Sequence, residues 1–279
     1  MRILPVNNGH NNVPNYKSSY RSYITRSVKG FGDFDKQVVW TTTNFFRDDF
    51  DWKCFIKYLL FHFNGKDRVN AYSLACSDGS EAYTYAISLM EEIPYSAHTK
   101  FFPVFASDID SEVINCAKSG KINIEDSEFY YINKMGMDLN YYFENKNKPI
   151  KIERDSNCDK TVGLYSYEPI SELKQAVEFK QSDILSELKN INDSGNSVVM
   201  CRNVMPYLND NYVEKVIKAA SDVLKDGSLF VIGDYDSCKN IDEQLLKNGF
   251  YRPLIENRNV YQKGNSKELT DRLLSGYLI

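Results

Sequence analysis

Four short polar groups in this chain have residue types and spacings suited to holding a ligand: Asp78-Gly79-Ser80-Glu81, Asp108, Asp183 and Arg202-Asn203. A carboxylate accepts two hydrogen bonds at once, so it can take both hydroxyls of a ribose or pair with an ammonium group. Asp108 is the candidate for the ribose, and Asp183 for an adenine amino group. Gly79 stands alone, with no G-x-G-x-x-G around it, so a pyrophosphate cradle is poorly supported. With Glu81 beside it, the turn suits a ligand that carries an ammonium group. Upstream, Thr43-Asn44-Phe45-Phe46-Arg47 sets an arginine against two phenylalanines, an odd neighbour for plain packing.

These groups matter only if the fold brings them together, and the surrounding pattern predicts that it does. Val69–Cys76 reads as a buried strand that breaks at Ser77-Asp78-Gly79 and opens a helix over Ser80–Glu92. A second apolar strand, Phe101–Ala106, ends at Ser107-Asp108-Ile109-Asp110, and a helix over Ser111–Lys118 stops at Gly120. Val177–Lys180 and Ser197–Cys201 read as further strands that end at Asp183 and Arg202-Asn203. A helix over Asn211–Leu224, a strand over Ser228–Ile232, a helix over Ile241–Lys247 and a closing hairpin over Tyr251–Tyr261 complete the alternation. In a doubly wound sheet such strand ends lie side by side along one edge, where open α/β folds bind ligands. Adenine, ribose and an amino-acid tail make up S-adenosylmethionine, which fits this set of groups better than NAD or ATP.

The remaining segments read as accessories. Residues 1–66 form an N-terminal arm, Asn-rich to about Ser19, followed by a helical lid in which Thr41–Asn44 can cap a helix running on to Phe63. Residues 67–279 form the main domain, interrupted at about 122–176 by an insert. There a Tyr-rich helix candidate, Leu139–Glu144, precedes two alternating pieces, Ile150–Glu153 and Gly163–Tyr167, which predict a small antiparallel sheet.

At 279 residues with 42% hydrophobic and 26% charged content, the chain suits one large soluble domain. A net charge of −4 supplies no basic field for nucleic acid or anionic lipid. The six cysteines form no C-x-x-C pair and the three histidines lie far apart, so reduced cytoplasmic thiols and no metal site are expected. Neither a secretory leader nor a membrane-spanning run is expected, and a monomer is the simplest state.

Four blocks, in order, resemble the CheR-type chemotaxis receptor methyltransferases, which esterify glutamates on chemoreceptors. They are Thr43–Arg47, Ala75–Tyr83, Ala106–Val113 and Cys201-Arg202-Asn203-Val204-Met205-Pro206-Tyr207. The resemblance implies a class I S-adenosylmethionine-dependent methyltransferase, an α/β fold with a doubly wound sheet, a closing β-hairpin, a short N-terminal helical segment and a small antiparallel β insert. It implies Thr43 and Arg47 at the methyl-donor site, Gly79 and Glu81 at the methionine ammonium, Asp108 with Ile109 at the ribose, and Asp183 with Ile184 at the adenine. Arg202 and Asn203 would stand beside the donor, and Tyr207 would face the transferred methyl, with Arg47 and Tyr207 as the catalytic pair. The implied partner is a chemoreceptor cytoplasmic domain, whose tail the insert could bind by strand addition.

This sequence also departs from the family. The segment before Thr41 is shorter than the family's helical domain, an asparagine usually stands at Asp183, and Gly233-Asp234-Tyr235-Asp236 replaces a G-H-S-E. Two other functions stay open: methylation of another protein or a small carboxylate, and non-catalytic sensing of S-adenosylmethionine and S-adenosylhomocysteine. Plainer local roles stay open as well. Glu81 could belong to a capping box, Asp183 could cap the Leu185 turn, and Arg202 could be a buried ion-pair partner with Asn203 as a turn residue.

Overall fold

The computed structural model describes residues 2–3, 26–28, 37–40, 43–47, 49–125, 129, 132–133, 136–144, 149–154, 161–191, 195–237, 240–253 and 258–264. Most of the Asn-rich arm, Thr41 and Thr42, and part of the turn in the closing hairpin lie outside these residues.

Near the N-terminus β1 (Arg2–Ile3), β2 (Arg26–Val28) and β3 (Gln37–Trp40) form a small antiparallel sheet. Helix α1 (Trp52–His62) follows. The main body then alternates β4 (Val69–Leu74), α2 (Ser80–Glu92), β5 (Val104–Asp108) and α3 (Ser111–Ser119). The insert comprises β6 (Ile122–Glu125), β7 (Phe143–Glu144), β8 (Pro149–Arg154) and β9 (Thr161–Pro169). Alternation resumes with α4 (Ser171–Gln175), β10 (Val177–Gln181), α5 (Ile184–Lys189), β11 (Asn196–Met200) and α6 (Asp210–Val223). The body closes with β12 (Leu229–Val231), α7 (Ile241–Lys247), β13 (Phe250–Tyr251) and β14 (Val260–Lys263).

Seven strands form one sheet in the order β10-β5-β4-β11-β12-β14-β13. The first five run parallel, and β14 enters antiparallel between β12 and β13. This doubly wound sheet with a closing hairpin is the class I methyltransferase fold that the sequence led us to expect.

Side chains alternate between the two covered faces, as parallel strands flanked by helices require. Val69, Ala71, Val198, Met200, Leu229 and Val231 join one core with α1 and α2, while Tyr72, Leu74, Val199, Phe230 and Ile232 join the other with α6 and α7.

Three local expectations are corrected. The aromatic run from Phe45 does not begin a helix: α1 starts at Trp52, where Asp51 accepts a hydrogen bond from the Cys54 amide. Phe45 and Phe46 precede it as buried packing rings, edge-to-face at 4.7 Å, with Phe143 of the insert a further 5.6 Å from Phe45. Likewise Leu139–Glu144 is a 3-10 turn over Leu139–Tyr141 followed by β7, whose Phe143 is buried against Phe45 and Tyr167. The strand expected from Phe101 starts only at Val104 and runs through Asp108.

Candidate functional site

The sheet register places the four suspected strand ends in a row. Gln181 of β10 pairs with Asp108 of β5, Leu74 of β4 with Ser107, and Met200 of β11 with Ser73. Asp183, Asp108, the turn after β4 and Arg202-Asn203 therefore emerge from neighbouring strands at the carboxyl edge.

The turn after β4 is unusual in its backbone. Ala75, Ser77 and Gly79 all have positive φ, at 55°, 56° and 87°. For Ala75 and Ser77 that conformation is disfavoured, and such geometry persists only where surrounding contacts impose it. Part of that imposition comes from Asp108, a buried acid whose Oδ2 accepts from the Ser77 amide at 2.9 Å while its Oδ1 accepts from the Asp110 amide at 3.0 Å. Gly79 is required twice over. Besides its left-handed φ, a Cβ there would lie 2.8 Å from the Phe179 ring and 3.1 Å from Ala117. The glycine thus lets α2 pack against β10 and α3.

Glu81 does not cap α2. Gly79 stands at the N-cap, and Asp78 before it accepts from the Ser80 amide at 3.0 Å and from the Ser80 hydroxyl at 2.7 Å. The Glu81 carboxylate instead accepts from Ser73 Oγ at 3.0 Å and from Arg202 Nη1 at 3.2 Å. Arg202 is deeply buried, with 1% of its side chain exposed, and its guanidinium lies 4.5 Å from the Phe50 ring centre and 5.4 Å from that of Trp52. Its other terminal nitrogen, Nη2, donates to Asp49 Oδ1 at 2.8 Å.

Asp49 was not singled out in the sequence, yet it ties the segment before α1 to the end of β11. Its second oxygen accepts from Asn203 Nδ2 at 3.0 Å. Burial pushes the Asp49 carboxyl pKa up, but Arg202, Arg47 and the Asn203 and Arg202 hydrogen bonds outweigh it and leave it below its ordinary value.

Asn203 has φ 56° and is held from behind by Asp236, which is fully buried. Asp236 accepts from the backbone amides of Asn203 at 2.5 Å, Gly233 at 2.6 Å and Met205 at 2.9 Å. The loop approaches so closely that a Cβ on Gly233 would sit 2.2 Å from Asn203 Oδ1. Tyr207, at the end of a 3-10 turn over Met205–Tyr207, is half-buried just beyond this anchor. Arg47 is also half-buried, with its guanidinium 5.8 Å from the centre of the Tyr235 ring, and Thr43 is buried nearby in sequence.

At the other end of the row Asp183 caps α5. It accepts from the amides of Leu185 at 2.9 Å and Ser186 at 3.1 Å, from the Ser186 hydroxyl at 2.5 Å and from the Tyr212 hydroxyl at 3.1 Å. Burial first, then the Asp183 charge, raises the Tyr212 pKa, so that hydroxyl stays protonated as a donor. Ile109 and Ile184 are both buried in the same apolar cluster beside these acids. The Cys76 and Cys201 thiols, each one residue or two past a strand, are pushed well up by burial and remain neutral. Among the described residues no group of three or more His, Cys, Asp or Glu side chains could hold a metal. No helix among them is long and apolar enough to cross a membrane.

The profile of the SAM-binding domain of CheR methyltransferases matches residues 41–250, three quarters of the chain. The chain belongs to the CheR methyltransferase family. It is 26% identical over 226 residues to a chemotaxis protein methyltransferase of Listeria innocua, covering 78% of this chain and 75% of that protein. It is 28% identical to one from Salmonella typhimurium, over 67% of this chain and 57% of that protein. To chemotaxis protein methyltransferase 2 of Vibrio cholerae it is 23% identical, over 66% and 59%. The chain thus spans less than two thirds of the length of the last two relatives. A TehB-like SAM-dependent methyltransferase of solved structure from Corynebacterium glutamicum is 9% identical with a TM-score of 0.37, over 77% of this chain and 86% of that one.

S-adenosylmethionine is the family's methyl donor, and this site's chemistry fits it. The row holds the carboxylates of Glu81, Asp108 and Asp183 and, among the described residues, no glycine-rich phosphate cradle, and the Glu81 carboxylate is turned off its own helix end and towards β4 and β11. The chain is an S-adenosylmethionine-dependent methyltransferase.

Proposed function

We propose that this methyltransferase esterifies glutamate side chains on a chemoreceptor-like protein in the cytoplasm. The observation that supports this acceptor best is Arg47: a half-buried guanidinium beside the donor end of the row, with the Tyr235 ring against it and the Asp49 charge near it. A fixed guanidinium is suited to orient a carboxylate through paired N–H donors. A glutamate is already ionised near neutral pH, so it attacks without a general base. No histidine is called on for that role.

In this reading bound S-adenosylmethionine supplies an electrophilic methyl group. Glu81 holds its ammonium, Asp108 with Ile109 its ribose, and Asp183 with Ile184 its adenine, with Gly79 shaping the turn. Thr43, Arg202 and Asn203 flank the donor end. Arg47 aligns the incoming carboxylate, and Tyr207 closes the acceptor side so that nucleophile, carbon and sulfur stay in line, a proximity effect. Asp183 can serve adenine only through lone pairs left over from its capping bonds. The segment that carries Arg47 and Asp49 covers the donor end of this edge, where Asp49 is bonded to Arg202 and Asn203, and the insert sheet offers an edge of β8 to a receptor tail.

The test is to incubate the protein with methyl-labelled S-adenosylmethionine and chemoreceptor cytoplasmic fragments, then treat the product with mild base. Esters release labelled methanol, whereas N-methyl and ether products do not. Volatile counts that vanish with Arg47→Ala are expected. Label that stays on the receptor through base, or no label although S-adenosylhomocysteine binds, would overturn the reading.

A further inference from the structure

Arg202 sits between two acids and does not treat them alike. Its shorter bond, 2.8 Å, goes to Asp49, and its longer one, 3.2 Å, goes to Glu81. Asp49 also takes Asn203 at 3.0 Å with its second oxygen, whereas the second oxygen of Glu81 takes only the neutral Ser73 hydroxyl at 3.0 Å. Two largely buried carboxylates thus bond one guanidinium, and the Arg47 charge also bears on Asp49, so Glu81 is the less compensated of the two. The bond pattern assigns Arg202 chiefly to Asp49. With Asp49 removed, the guanidinium would be a buried cation whose remaining carboxylate among the described residues is Glu81, and the two would close into a tight pair. A paired Glu81 is a poor host for a second cation.

We propose that Asp49 is a positioning residue for cofactor binding: it holds the Arg202 guanidinium to itself, so that the Arg202–Glu81 bond stays the longer one and the Glu81 charge is only partly compensated before the ammonium group of the methyl donor arrives. The inference rests on the assignment of Glu81 to that ammonium. It also explains why an acid in the segment before α1 reaches across to the end of β11. The same contact fastens the Arg47 segment to the donor end, so donor binding and acceptor alignment share one residue.

Asp49→Asn tests this, because it keeps the shape and an acceptor for Arg202 but removes the charge. Wild type and variant are titrated calorimetrically with S-adenosylhomocysteine and with 5′-methylthioadenosine, which has the adenosine and sulfur but no amino-acid tail. The account expects the variant to bind S-adenosylhomocysteine about tenfold more weakly, the scale of one lost charge-assisted hydrogen bond, with 5′-methylthioadenosine unchanged within about twofold of wild type. Repeating the change in a Glu81→Gln background should produce no further loss, since no ammonium acid is left to protect.

Equal S-adenosylhomocysteine affinity in wild type and Asp49→Asn would overturn the proposal. A parallel loss of both ligands would also overturn it and make Asp49 a general structural residue. Should the asparagine variant fail to fold, Asp49→Ser, which leaves a hydroxyl and room for water, carries the same expectation. No methyl acceptor enters these titrations, so their outcome is independent of the glutamate reading. A wild type that binds neither ligand would overturn the ammonium assignment and this inference with it.

Discussion

Glu81 and Asp49 share Arg202, which lies 121 and 153 residues away along the chain, whereas Asp108 and Asp183 accept from backbone amides in adjacent turns. The first pair, at the donor end of the row, is a charge network assembled from three separate segments. The second pair, at the adenosine end, holds the loops that carry it. At the donor end a substitution changes the charge a ligand meets. At the adenosine end it first releases backbone. Binding and stability should therefore respond differently along one row of acids.

The largest effect expected is at the centre of the network. Arg202→Ala leaves the largely buried Glu81 without its cation and Asp49 with only the Arg47 charge near it, and breaking a buried pair from one side costs about 3–5 kcal/mol. Denaturant unfolding of the apo protein should show that loss, and an unchanged midpoint would show that the network does not bear on the fold. Next comes the adenosine end, where Asp183→Ala removes the α5 cap and the acceptor of Tyr212. A loss of about 1–2 kcal/mol in unfolding is expected, accompanied by weaker S-adenosylhomocysteine binding. Loss of affinity with stability intact would move Asp183 out of the structural class and blur the comparison.

Acid unfolding sharpens the contrast further. The folded pKa of Asp49 lies below its ordinary value, so its contribution is complete above the unfolded carboxylate pKa of about 3.9 and is lost as pH falls from there through the folded value. Asp49→Asn should flatten the pH dependence of stability in that acid window and leave it unchanged above about pH 6. Unfolding curves that stay parallel to wild type down to pH 3 would contradict this.

The smallest effect concerns Arg47. Replacing Tyr235 with serine removes the ring beside the guanidinium, a contact worth about 0.5–1 kcal/mol. The acceptor KM should rise severalfold with donor affinity constant, and Tyr235→Phe should restore it. A rise that phenylalanine does not rescue would shift the role to the tyrosine hydroxyl.

How much of this was legible in the sequence follows the same division. Strand ends at Asp108, Asp183 and Arg202 stood out because each follows an apolar run and precedes a helix or turn signal, and the sheet register then brings them together. Asp110, directly before the helix that opens at Ser111, is a local cap of the same kind and accepts from the Glu112 amide two residues on. Asp49 was not visible, because no local spacing records a partner that arrives from β11. Asp236 carried only the trace of standing in a block that departs from the family, and Tyr212 carried none: its partner Asp183 lies 29 residues earlier.

The aromatic run from Phe45 to Phe63 misled for a physical reason. Dense rings match a helical period by chance, and here Phe45 and Phe46 are placed by edge-to-face stacking and by a Phe46 amide that donates to Thr84 Oγ1 at 3.1 Å. Asp51, the residue that does cap the helix, stands well downstream of the Thr41–Asn44 stretch that carries the sequence's cap signal.

The claim beneath all of this is that Glu81 is turned out of its helix end to receive a cation. Titrating S-adenosylhomocysteine into wild type and Glu81→Gln, with apo unfolding measured alongside, tests it most directly. At least about tenfold weaker binding is expected in the variant with an unfolding free energy within about 1 kcal/mol of wild type, since Arg202 keeps Asp49. Equal affinity in the two proteins would contradict it.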